Sequence, residues 1–311
     1  VSVISYAVNA VLLVTIGIVV ANILAETGIF SRLSAFTGPL CRVSGLSDTC
    51  ILSIIAMGVN ATAGKSMLAG YYHDGKVTEQ EVIPVLIMGA FPVVLGESLF
   101  RVQLPAALVL LGPVIGGIYT GLNLFSSGIQ ALFALLYSRR FLAEPGRAPV
   151  PVPAAPAAAL ALNRKVVIAG CRKAAPTLRR VVPVTLAALI IFSLLSATGV
   201  MDLVAAVFDP VLRAVGLPGE SAAALVAQFV HFSAGYAIVA SLLSGGVLTT
   251  GTALVTLVLG SMVVITLIYI KYSVPLYLSL FGRFGVRVAL VTYAASMAAK
   301  VVTVALVMVL F

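Results

Sequence analysis

Six stretches of this chain, 3–25, 82–100, 122–137, 181–197, 253–270 and 288–311, are apolar runs that carry at most one charged residue each. Water cannot solvate such runs, and a helix that crosses a bilayer needs about 20 apolar residues in a row. The rest of the chain could not cover them. Only 9% of its 311 residues are charged, against roughly 25% in a soluble domain. The fold class that follows is all-α and polytopic, a bundle of membrane helices. The opening stretch has neither a basic flank nor a small-residue cleavage site, so it reads as a first helix and not a signal peptide. The absence of an initiating Met predicts a trimmed start.

The chain is written twice. Shifted by 171 residues, ETGIFSRLSAFTGPLCRVSGL from Glu26 falls without a gap on ATGVMDLVAAVFDPVLRAVGL from Ala197. Gly28 meets Gly199, Pro39 meets Pro210, Arg42 meets Arg213 and Gly45 meets Gly216. The same shift lays NATAGKSMLAGYYHDGKVT on HFSAGYAIVASLLSGGVLT. Apolar composition alone does not align Gly, Pro and Arg together. Residues 1–140 and 172–311 therefore form two membrane repeats, joined by a Pro/Ala-rich basic linker over 141–171. Each repeat reads as about five apolar segments. In the first these are 3–25, 46–72, 82–100, 104–120 and 122–140, with a short amphipathic piece at 29–43.

The net charge of +9 is unevenly distributed. Arg139, Arg140, Arg147, Arg164, Lys165, Arg172, Lys173, Arg179 and Arg180 cluster around the linker, opposed only by Glu144. In a membrane protein such a cluster marks the cytoplasmic side and can touch anionic lipid; no nucleic-acid partner is expected. Five crossings per repeat put Arg32, Arg42, Arg101, Arg283 and Arg287 on that same side, with Lys76, Arg213 and Lys271 opposite. An odd number of crossings turns the second repeat upside down relative to the first. The predicted architecture is thus two inverted repeats in the cell membrane, with broken helices at matching places. Such pairs of interrupted helices point to a transporter's central site.

The first interruption, GVNATAGKS from Gly58, superficially resembles a phosphate-binding loop. The G-x-x-x-x-G-K-S spacing requires glycine at position 59, which is Val59. Small residues here suit close helix packing in lipid. Packing does not account for the polar residues, because polar groups inside a bilayer are costly and usually face a pathway. The predicted substrate-binding set is therefore Asn60, Thr62, Gly64 and Lys65 in the first repeat, with Gln228, His231, Ser233, Gly235 and Tyr236 in the second. Glu97 and Lys300 are candidates for charge coupling. The three cysteines, Cys41, Cys50 and Cys171, have no metal-ligand spacing and read as packing residues. Neither a metal site, a cofactor nor a catalytic set is expected, so the chain is not read as an enzyme.

An apolar helix ending in Leu24-Ala25-Glu26-Thr27-Gly28, then Gly45-Leu46, then Gly58-Val59-Asn60-Ala61-Thr62-Ala63 resembles the Gate, or nucleoside-recognition, domain. Relatives of that domain include the membrane part of the ferrous-iron transporter FeoB and the concentrative nucleoside transporters. The resemblance covers most of both repeats and is nearest to stand-alone members. It implies a membrane transporter that moves a small solute, such as a nucleoside, an ion or an organic anion, by alternating access at the two breaks. FeoB-type gates carry a cysteine where this chain has Val59, and this chain has no GTPase domain; both departures weigh against iron. The competing readings are a non-transporting scaffold that holds partners through the basic linker, and a lipid flippase. Expected partners are the solute and membrane lipid, with a second copy of the chain left open.

Overall fold

The computed structural model describes residues 43–96, 103–142, 163–172, 212–213 and 216–311, together with isolated positions between 15 and 198. The first apolar segment 3–25, the amphipathic piece 29–43, most of the 141–171 linker, Arg101 and Glu97 lie outside the described residues, apart from Thr15, Val19, Ile23 and Val43. The described residues contain only helices and turns. Helices α1 (Asp48–Val59), α2 (Ala61–His73), α3 (Glu79–Gly96) and α4 (Gln103–Phe141) belong to the first repeat. Helices α5 (Ser221–Val230), α6 (Phe232–Ser244), α7 (Thr250–Ile268), α8 (Val274–Phe281) and α9 (Phe284–Leu310) belong to the second.

The local chemistry that starts and stops these helices repeats at the same spacing. After α2 the chain turns through Gly75, at φ 72°, and after α6 through Gly246, also at φ 72°. Lys76 N donates to Tyr71 O at 2.9 Å, and its counterpart Val247 N donates to Leu242 O at 2.9 Å. This is the glycine-terminated cap that satisfies the last carbonyls of a helix. Helix α3 then opens on Thr78, whose N–H and hydroxyl both donate to Glu81 Oε2. Helix α7 opens on a reciprocal capping box between Thr249 and Thr252, 171 residues further on.

Helices α1 and α2 are separated by one extended residue, Asn60, at φ −147° and ψ 111°. Helices α5 and α6 are separated by His231, at φ −161° and ψ 135°. The chain doubles back at both places. A Cβ added to Gly64 would run into the backbone of Met57, seven positions earlier and about 10 Å away in a continuous helix. One added to Gly235 would meet the side chain of Gln228 and come within 3.0 Å of Ala224 O. Each pair is therefore a helical hairpin whose legs touch at a glycine. This corrects the expectation that 46–72 is one crossing segment: it enters and returns, because a single extended residue reverses the chain and glycine lets the legs close.

The boundary predicted between 104–120 and 122–140 also moves. The helix breaks at Gly112, at φ 81° and ψ 168°, immediately before Pro113. Proline has no N–H and clashes with the preceding turn, while glycine alone readily takes that φ. A nine-residue piece, 103–111, thus precedes a long helix from 113 onward. In the second repeat α7 runs through a π-helical turn, Tyr269–Ser273, into α8 as one rod, Thr250–Phe281. Gly282, at φ 59°, reverses the chain into α9. The weak segment 275–282 is therefore the end of this rod and not a separate span.

Four described helices are long and apolar enough to cross a membrane: Glu79–Gly96, Gln103–Phe141, Thr250–Phe281 and Phe284–Leu310. Their outward faces stay apolar, with Phe133 68% and Val309 83% exposed, as a lipid-facing surface requires. Two buried cores form, and the repeats exchange parts between them. The first hairpin and α3 share a core with Tyr277 and Phe281 of α8. The second hairpin and α7 share theirs with Ala106, Ala107 and Leu111 from the short piece before Gly112. His73, at the base of the first hairpin, hydrogen-bonds Leu280 O near the end of the rod at 2.8 Å. At the other end of the rod, Gly251 packs against Phe311.

Candidate functional site

Between the two cores lies a cavity of about 670 Å³. Its wall draws on both repeats: α2, α3 and α4 from the first, and α5 through α9 with the π-helical turn from the second. The two long helices contribute polar residues spaced for one helix face. On α4 these are Tyr119, Asn123, Ser126, Ser127 and Gln130, and on α9 Thr292, Ser296 and Lys300. Positions i, i+4 and i+7 or i+8 fall along one stripe of a helix, so each helix turns a polar stripe inward and an apolar face outward.

Polar contacts join the repeats across this wall. Lys300, only 4% exposed, donates to Asn123 Oδ1. Ser296 donates to Gln130 Oε1 at 3.1 Å. Tyr236 OH donates to Tyr119 OH at 3.4 Å, and the two rings meet edge to face. Lys65 reaches the cavity from the first hairpin with its ammonium 5.2 Å from the ring centre of Tyr277. No Asp or Glu among the described residues lines the cavity. Lys300 is thus a buried cation whose hydrogen-bond partner is a neutral amide. A medium of low polarity makes such a charge costly unless an anion or a full set of acceptors surrounds it.

Among the described residues, two polar groups in the wall have no hydrogen-bond partner, the Ser126 hydroxyl and both amide atoms of Gln228. Burying a polar group unpaired costs about 1–3 kcal/mol.

Of the residues expected from sequence, Lys65, Gln228, Tyr236 and Lys300 line this cavity. Asn60 and Thr62 are exposed at the tip of the first hairpin. Gly64 and Gly235 are buried where the hairpin legs touch. His231 and Ser233 sit at the second tip, where His231 Nδ1 accepts from Ser233 N at 3.3 Å and pairs with Ser233 Oγ at 2.7 Å. That geometry makes His231 the N-cap of α6. Glu97 lies outside the described residues. Tyr119, Asn123, Gln130 and Ser296 were not anticipated. The signal that finds them is the four-residue spacing of polar groups within apolar helices.

The family model described as "Nucleoside recognition" (Gate) matches residues 7–114 and 178–284, two regions that begin 171 residues apart. The chain is similar to the uncharacterized protein MJ0880 of Methanocaldococcus jannaschii, with 39% identity over 98% of each chain. It is also similar to the uncharacterized protein MJ0871 of the same organism, with 25% identity over 93% of this chain and 89% of that one. No solved structure matches.

Proposed function

The chain belongs to the Gate family of membrane domains, and on that premise we propose that it carries a small organic anion across the membrane through the cavity between its repeats. The observation that carries this reading is Lys300: a buried ammonium in the cavity wall, paired to the Asn123 amide, with no carboxylate among the described lining residues. A bound anion would supply the missing counter-charge. The anion is attracted in proportion to how poorly water screens the site.

Alternating access needs two halves that can exchange roles. The rod Thr250–Phe281 supports this reading. Its 32 residues extend about 48 Å at 1.5 Å per residue. The base of the first hairpin is bonded near the end of the rod at Leu280, and the base of the second leads through a short turn into its start at Thr250. These contacts support a reading in which the hairpins enter from opposite sides. With the segments 3–25 and 181–197 as crossing helices, each repeat crosses three times, still an odd number. The hairpin now counts as no crossing, and the nine-residue piece 103–111 is too short to count as one of its own. With the basic linker in the cytoplasm, this count brings Lys76 to the linker side along with Arg283 and Arg287, in line with the positive-inside rule.

The family description favours a second solute class, a neutral nucleoside, for which the amides and tyrosines of the wall are suitable partners. The two readings separate at Lys300. In thermal unfolding of the purified protein, organic anions stabilise the wild type and uridine does not; a ligand at about a hundred times its dissociation constant adds about 2.7 kcal/mol. Lys300→Met keeps the fold and loses the anion effect. Stabilisation by uridine that survives Lys300→Met, with none by anions, would replace the anion by the nucleoside.

A further inference from the structure

The two repeats hold the same slot for one long side chain, and they fill it differently. In the first repeat Met57, 1% exposed, lies between Gly64 of its own hairpin and Gly89 of α3; a Cβ on either glycine would strike it. In the second, Gln228, 2% exposed, lies between Gly235 of its hairpin and Gly260 of α7, and again a Cβ on either would strike it. All three positions correspond at the 171-residue spacing. Methionine and glutamine are close in length and flexibility, so packing alone is met by either. Only the glutamine lines the cavity, and neither of its amide atoms has a hydrogen-bond partner among the described residues. A slot that accepts methionine has no structural need for an unpaired amide.

We infer that Gln228 is the residue that selects the solute, pairing its amide with a carbonyl and an adjacent N–H on the anion, as a lactam, imide or primary amide would present them. The inference rests on the reading of the cavity as an anion site. Lys300 then supplies attraction to any small organic anion, and Gln228 discriminates among them. Two hydrogen bonds to a buried amide distinguish solutes that can form them from those that cannot by at least about tenfold.

Two probes of similar size separate the roles. Orotate carries a carboxylate and an imide edge; benzoate carries the carboxylate alone. Binding to the purified wild-type protein, measured by calorimetry, is expected at least about tenfold tighter for orotate than for benzoate. Gln228→Met should erase that preference. Without added solute the same variant should melt a few degrees higher than wild type, because it removes the unpaired amide from a slot of proven shape. Gln228→Leu serves as a second variant with the same expectation for the preference. A preference kept in both variants, or equal binding of the two probes by the wild type, overturns the role of Gln228 while leaving the anion site standing. Binding of neither probe by the wild type overturns the anion site, and this inference with it.

Discussion

Lys300 stands out in the sequence as a lone cation deep inside an apolar helix. Its partner does not. Asn123 lies 177 residues away, on another helix whose polar stripe is diluted by leucine, phenylalanine and alanine, and no local pattern pairs the two. The pair makes a direct prediction. Asn123→Leu leaves the ammonium buried without its amide and should cost about 1–3 kcal/mol, whereas adding Lys300→Met to that variant should restore most of the loss. A double-mutant cycle by thermal unfolding checks the coupling. His231 stands in the sequence among the expected substrate-binding residues. Its ring caps α6 through Ser233, so His231→Ala should lower stability by about 1 kcal/mol.

At the scale of elements, the two matching breaks at Asn60 and His231 were legible and the direction of the chain after each was not. The shared spacing of Asn60 and His231 marked both interruptions, but one extended residue can kink a helix or reverse it. The choice depends on whether the flanking faces can touch, which Gly64 and Gly235 permit. The break at Gly112 was hidden for a different reason: hydropathy runs unbroken across it, although Gly-Pro is written there. Glycines of the first hairpin should accordingly respond very differently to substitution. Gly64→Leu forces apart legs that meet at backbone and should cost at least about 1–3 kcal/mol. Gly70, with nothing within 4 Å of an added Cβ, should accept alanine and gain up to about 1 kcal/mol of helix propensity. Thermal unfolding of the two variants, run side by side, tests this contrast.

At the scale of the whole molecule, the sequence disclosed the repetition and the membrane setting, because both are written in spacing and hydropathy. The exchange of parts between cores stayed hidden, since the short piece before Gly112 packs with the second hairpin and α8 packs with the first. That exchange leaves the cavity walled by both repeats. The proposed carrier would expose this cavity to each side in turn, and a cysteine in its wall reports this without knowledge of the solute. Ser296, half-buried in the cavity wall, is suited to the purpose. Ser296→Cys, in a background with Cys41, Cys50 and Cys171 replaced by alanine, is placed in sealed vesicles and treated with a membrane-impermeant thiol reagent from each side separately. Labelling from both sides, slowed by organic anions, is the result expected of a carrier. Labelling from one side alone, or from neither, would contradict alternating access.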